Sequence, residues 1–387
     1  MAIPNVSFTI SNGNLGGQNS INDGIAGLIL SHEATTELAL NVPKAIYSIA
    51  DAEALLITGF ALEEITDFYT NAGEGQELWI MLISDTSMWD DVCDVTNDIA
   101  KKLLQESRGV IKIWGVNIDP PVSYVVATTK GIDDEIIAAL PKAQALCEAM
   151  AAKFIPTRCI LPGREFVKAS VGDLEDLKTH TENRVQITLH GESASRKAKV
   201  GFLLGLYSAI AVQRNIGRVA SGDLGLSEAV LSDGVTTAEA AVNIADAIHD
   251  KGYVLPIVRY GRAGYFYNDD PTATAGTDDY SSFARGRVID KAQRIAYDVY
   301  LNFVNDDYAV DAAGQISPAE LKRLQGSIDD AVNQLMVNTG ELSAFKSYVD
   351  PSQDTLATGI TKVKLAAQPR AYHKMIEVEL GFTQTIE

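Results

Sequence analysis

The residues most able to do covalent or metal chemistry are dispersed in this sequence. The five histidines, His32, His180, His190, His249 and His373, never fall within four positions of one another. A zinc site usually draws such a close pair from one element, so a metal role is not expected. Cys93, Cys147 and Cys159 form no CxxC pair and read as reduced thiols of a cytosolic fold. There is no GxxxxGK[ST] loop, no G-x-G-x-x-G after a strand and no G-x-S-x-G elbow. Asn14-Leu15-Gly16-Gly17 is rich in glycine but precedes no dinucleotide-binding unit. Asp269, Asp270, Asp278 and Asp279 supply oxygen ligands of the kind calcium takes. Their spacing is not that of an EF-hand, Gly276 is misplaced for one, and a solvated surface loop is expected. No catalytic residue, cofactor-binding residue or metal ligand is assigned.

Two constellations offer non-covalent chemistry instead. Arg287, Lys291 and Arg294 recur at i, i+4 and i+7 in SSFARGRVIDKAQRIAYDVYLNFV, a basic stripe in an acidic protein. It reads either as an exposed face with ordinary ion pairs, each worth little, or as a docking face for an acidic neighbour. The second constellation is a set of strand-like runs. In KMIEVELGF, Ile376, Val378, Leu380 and Phe382 share one face while Glu377 and Glu379 share the other. In KVKLAA, Val363 and Leu365 face one way, Lys362 and Lys364 the other. Antiparallel pairing of these two runs is expected to set lysines opposite glutamates. A third run, NVSFTI, alternates Val6, Phe8 and Ile10 with Ser7 and Thr9. It is too short to be stable alone and is followed by a tether, SNGNLGGQNS, at residues 11–20. A small sheet has open edges. A tethered strand from a neighbouring subunit that fills one would be β-strand addition, in which main-chain hydrogen bonds supply the affinity.

The elements that must position these residues divide the chain. Strands are expected at 77–84, 109–118, 156–163 and 184–191. Helices are expected at 63–71, 88–107 and 133–154, the last kinked or restarted at Pro141. Nearly continuous apolar strands alternating with helices argue an α/β layer built on a largely parallel sheet. KAKVGFLLGLYSAIAVQRN is apolar almost all round and reads as a central helix. The strand YVLPIVRY and a hairpin-like GRAGYFYNDD follow it. The helix carrying the basic stripe buries Val288, Ala292, Ile295, Val299 and Phe303. The next helix opens at Ser317-Pro318-Ala319-Glu320, a capping box with Pro at the first position, and ends at Gly340.

The chain has 387 residues, a formal net charge of −19 and a pI near 4.7. This balance argues against coating nucleic acid or an anionic membrane surface. No secretory signal is expected in MAIPNVSFTI, and the run Val200–Val212 is too short to span a bilayer.

The order GRAGYFYNDDPTAT, DDYSSFARGRVIDKAQRIA, GQISPAELKRLQGSIDDAVNQLMVNTGEL, YVDPS and KVKLAAQPRAYHKMIEVELGF resembles the C-terminal half of contractile-tail sheath proteins. These proteins come from bacteriophages and phage-like injection systems. The likeness covers the last third of the chain, weakly the first residues, and poorly the middle. It implies an α/β outer domain plus a C-terminal helix-and-sheet domain with extended N- and C-terminal strand arms, α+β overall. The corresponding divisions are 1–20 for the arm and linker, 21–270 for the α/β domain and 271–387 for the sheath domain. It implies a structural, non-catalytic subunit with no cofactor. Its partners would be copies of itself in stacked six-fold rings and a helical polymer, an inner tail tube, and baseplate and tail terminator proteins. Neither nucleic-acid binding nor membrane insertion is implied. Its location would be a virion tail or a cytoplasmic particle of the producing cell. The subunit-interface residues would be Val6, Phe8, Ile10, Val363, Leu365, Ile376, Val378, Leu380 and Phe382. The residues alone leave two alternatives open: a cytosolic α/β enzyme, hydrolase or transferase, and another virion component such as a capsid or tube protein.

Overall fold

In the computed structural model, residues 23–311 and 314–382 are described. The larger sheet contains β1 (Ala26–Ser31), β2 (Lys44–Ile46), β3 (Leu78–Ile83), β4 (Ile113–Asn117), β5 (Arg158–Pro162) and β6 (Val185–Thr188). Its order is β2-β3-β1-β4-β5-β6, parallel throughout except for the antiparallel edge β2. The central strand β1 is fully buried and was not among the strands expected from the pattern. Ile25–Leu30 is a short apolar run directly after a polar tether, and such a run cannot be told from a helix fragment by periodicity.

Helices cover both faces. On one side lie α1 (Gly59–Ala72) and, later in the chain, the Val200–Ala209 helix. On the other lie α2 (Trp89–Cys93), α3 (Ala100–Glu106) and α4 (Asp134–Ala151). Ala26, Leu28, Leu30, Ile80 and Ile113 point into the first layer, and Ile29, Met81, Trp114 and Val116 into the second. This two-sided burial is why the strands read as continuous apolar runs.

The single helix expected over 88–107 is two helices. Asp94 Oδ1 accepts from the Thr96 amide at 2.8 Å and from Thr96 Oγ1 at 2.6 Å, a local turn that competes with helical bonding. Conversely, α4 runs through Pro141 without a break. The apolar run at 200–212 forms α5 (Val200–Ala209), as its composition requires. Gly201 and Gly205 let α5 lie directly on α1. A Cβ at Gly201 would sit 2.0 Å from Glu64 O, and one at Gly205 2.2 Å from Phe68 O.

After α6 (Val242–Asp250) comes a short hairpin of β7 (Pro256–Val258) and β8 (Tyr265–Tyr267). Helix α7 (Phe283–Leu301) then leads to α8 (Pro318–Val332), where Ser317 Oγ accepts from the Glu320 amide at 3.3 Å. A π-helical turn, Asn333–Val337, extends α8 before Gly340 turns the chain at φ +80°.

The smaller sheet pairs β9 (Leu342–Val349) with β10 (Val363–Pro369), antiparallel. Here the structure corrects the expected pairing. The 362–367 run bonds to residues 342–349, and residues 374–382 form no strand. The reason lies just beyond Pro369. Arg370 Nη1 donates to Gly340 O at 2.9 Å, Tyr372 OH donates to Gln213 O at 2.7 Å, and Lys374 pairs with Asp269. These anchors draw the chain away from β10 before it can fold back. No helix of the described residues is long and apolar enough to cross a membrane.

Candidate assembly interface

The site is the small sheet and residues 376–382, which stand clear of the body. Register pairs Phe345 with Ala367, Ser347 with Leu365 and Val349 with Val363, so these residues share one face. Phe345 and Val349 are buried there against α7 and α8, in two small cores that include Ile295, Leu324, Ile328 and Met336. Strand β10 bonds to β9 on one edge and to no strand among the described residues on the other. Beside that open edge runs a groove of about 810 Å³, lined by Phe154, Tyr297, Tyr300, Val304, Val363 and Leu365 among others. Tyr300 of the last turn of α7 packs with Val349 and Val363 of the sheet, while Leu301 and Val304 just beyond are exposed. Phe154 stacks on Tyr297 at 4.3 Å and closes one end.

The opposite face is wet and basic. Lys346, Tyr348, Lys364 and Ala366 are exposed on it, with Tyr348 opposite Lys364. Neither lysine has a carboxylate partner among the described residues. Residues 376–382 stand clear of the body: Ile376 is 73% exposed, Val378 77%, Leu380 93% and Phe382 fully. The lysine–glutamate match expected within one chain is therefore unmet in the subunit. Val6, Phe8 and Ile10 lie outside the described residues.

Arg287, Lys291 and Arg294 do not form an exposed docking face. Helix α7 lies in the seam between the α/β layer and the small sheet, so its polar stripe is enclosed. Arg287 Nη2 donates to Tyr207 O at 2.9 Å and Ile210 O at 3.3 Å. Lys291 bridges Asp23 and Glu341, each at 2.7 Å, and Arg294 reaches Asp23 at 2.8 Å. On the same helix the buried Asp290 receives Arg158 at 2.8 Å and Arg184 at 2.9 Å. Gly286 makes room for this, since a Cβ there would meet Arg158 Cζ at 1.8 Å. Sequence reasoning did not find Asp23, Asp290 or their partners. Asp290 and its arginines are 132 and 106 positions apart, and no local pattern signals such a pairing.

The acidic loop is also corrected. Asp270 is fully buried, not solvated. It accepts from Ser282 Oγ at 2.9 Å and the Ala284 amide at 2.9 Å, and so caps α7. Burial and then the neighbouring Asp269 carboxylate push the Asp270 carboxyl up. Asp269 anchors Lys374. Among the described residues no group of three or more His, Cys, Asp or Glu is placed to hold a metal ion.

In an α/β enzyme the ligand crevice lies at the carboxyl ends of the strands where their order reverses, here β1 and β4. That position is filled by the chain itself. Asn117 Nδ2 donates to Ala198 O at 2.6 Å, and Ser31 Oγ accepts from the Asp119 amide at 2.7 Å. Lys197 and Lys199 cross above, paired to Asp119 at 2.7 Å and Asp67 at 2.9 Å.

The whole chain is similar in fold to chains from contractile machines. One is from the baseplate of the anti-feeding prophage: TM-score 0.65, 12% identity, 100% of both chains covered. Another is from the contracted helical sheath of the same particle: TM-score 0.64, 14% identity, again 100% of both. A third is from the contracted PVC sheath complex of an extracellular contractile injection system: TM-score 0.62, 12% identity, covering 100% of this chain and 98% of that one. At these identities what is shared is the fold, an α/β layer joined to a helix-and-sheet unit. No curated protein matches the chain at the sequence level. The DUF2586 N-terminal domain matches residues 3–271 and the DUF2586 C-terminal domain residues 279–387, and the chain belongs to the DUF2586 family.

Proposed function

We propose that this chain is the sheath subunit of a contractile tail or tail-like injection machine. It polymerises in stacked six-fold rings around an inner tube, joins the baseplate and terminator at its ends, and contracts to drive the tube through a target envelope. The observation that carries this reading is the end-to-end likeness to a chain of a contracted helical sheath, over 100% of both chains. The likeness to a baseplate chain supports the baseplate contact. The work is done by repacking a metastable assembly, not by an active site. Residues 1–20 act as arm and linker, 21–270 as outer domain and 271–387 as the sheath domain. The particle is a virion tail or a cytoplasmic assembly of the producing cell.

The contact that links subunits is strand addition. A two-stranded sheet has two edges, and the chain has two strand-like ends, Val6–Ile10 and Ile376–Phe382. The C-terminal segment of one copy suits the β10 edge of another. Ile376, Val378, Leu380 and Phe382 would enter the groove beside Val363 and Leu365, while Glu377 and Glu379 would meet the unpartnered Lys346 and Lys364. An added strand that does not close on its donor gives an open helical array. Electron microscopy of the purified protein tests this: hollow, ridged cylinders with six-fold end views are expected. A shell, a thin smooth tube or a small closed oligomer at all concentrations would refute it.

A further inference from the structure

We propose that the two edges of the small sheet are unequal acceptors: the β10 edge is open, whereas the β9 edge is closed in the free subunit by a side-chain plug from α8 that a strand of a second copy must displace. This rests on the strand-addition reading above. In an antiparallel pair the main-chain groups of alternate residues point away from the partner strand. The Ser347 amide donates to Asp329 Oδ1 at 2.7 Å, not to β10. Phe345, Ser347 and Val349 therefore direct their N–H and C=O groups to the outer side of β9. Their register partners Ala367, Leu365 and Val363 direct theirs to the outer side of β10.

The two rows are treated differently. Among the described residues nothing bonds to the outward main-chain groups of Val363, Leu365 and Ala367. On β9 the middle position is held at both its N–H and its C=O. Asp329 takes the N–H, and Gln325 Nε2 donates to Ser347 O at 3.4 Å. Ser347 Oγ donates in turn to Gln325 O at 3.4 Å. Gln325 and Asp329 stand at i and i+4 on α8, so both reach the same residue. Ser347 is only 1% exposed although it belongs to an edge strand. The register shift between Leu342 and Ala344 also distorts the start of that edge. Such devices keep a strand edge from pairing out of turn. A displaced Asp329 has another donor near it. The Tyr300 hydroxyl is buried without a partner, and burial, then the Asp329 carboxylate, push its pKa up to about 12. Addition is thus ordered. At β10 a strand meets free groups, and at β9 it first breaks a charge-assisted bond.

The test compares the full chain with Asp329→Ala, which removes the plug, and Asp329→Asn, which keeps an acceptor for Ser347. In the unassembled subunit the Ser347 amide is expected to exchange its hydrogen roughly tenfold faster in Asp329→Ala than in the parent. The concentration at which tubes first sediment is expected to fall roughly tenfold, the factor that one charge-assisted hydrogen bond is worth. Asp329→Asn is expected to match the parent in both. Gln325→Ala breaks only the carbonyl side, is expected to lower the threshold about twofold, and serves where Asp329→Ala does not fold. An unchanged or raised threshold in whichever of these folds, unaltered exchange in Asp329→Ala, or Asp329→Asn behaving as Asp329→Ala would overturn the plug and leave strand addition standing. A parent chain that forms no tubes would overturn the strand-addition reading and the plug with it.

Discussion

Buried polar side chains govern this molecule at the residue scale. Glu64 lies between α1 and α5, where it accepts from the Gly201 amide at 2.6 Å. Burial, reinforced by Asp67, raises its pKa to about 8, against the bond from Gly201. The consequence for stability has a definite sign. The unfolded carboxyl ionises near 4.5 while the folded one stays protonated, so this contribution is full below pH 4.5 and is lost as pH rises to about 8. Glu64→Gln keeps an acceptor for Gly201 and cannot ionise. Its free energy of unfolding, from urea titration, is expected to exceed that of the parent increasingly between these limits, by on the order of 5 kcal/mol at the upper one. Parallel profiles from pH 4 to 9 would show that Glu64 is ionised in the fold. Asp290→Asn leaves Arg158 and Arg184 buried beside a neutral group. It is expected to cost roughly 3–5 kcal/mol, read from equilibrium unfolding. A loss below about 1 kcal/mol would mean that the two guanidinium groups find other acceptors.

At the scale of elements, close approach and open edges matter most. The α1–α5 contact depends on two absent side chains. Gly205→Val would force a Cβ against Phe68 O and is expected to cost about 3 kcal/mol or more, measured by thermal unfolding. Unchanged stability would mean that α5 can shift as a rigid body. Under the proposed strand addition, the β10 edge of one copy is matched by charge to residues 376–382 of another. Glu377→Lys with Glu379→Lys is expected to leave monomer stability within about 0.5 kcal/mol and to suppress tube formation in sedimentation assays. Lys346→Glu with Lys364→Glu should do the same, and mixing the two double variants should restore co-assembly. Failure of the mixture to assemble, with each parent folded, would remove residues 376–382 from the β10 edge. The capping serine and proline of α8 and the apolar stripe of α7 were legible in sequence because both are local signals. Strand β9 was not. Leu342, Phe345 and Val349 are its buried apolar positions, and the register shift between Leu342 and Ala344 breaks their alternation.

For the whole molecule, the arms and the body are expected to separate cleanly under deletion. Removal of residues 1–12, or of 375–387, should leave a folded subunit by circular dichroism that no longer forms tubes. Tubes of normal length from either truncation would refute strand addition by that end. The alternation of apolar strands with helices determined the α/β layer by itself, because burial on both faces writes continuous apolar runs into the strands. The segments Val6–Ile10 and Ile376–Phe382 were marked by period-2 patterning that no neighbouring turn explains. Tertiary structure alone decided that the basic stripe of α7 is internal, that Asp270 is a buried cap, and that β10 pairs with β9. Each of these depends on groups brought together from distant positions, such as Asp23 with Lys291 or Lys374 with Asp269. A helix carries the same charged stripe whether it meets solvent or a seam, and only the packing of the surrounding layers settles which.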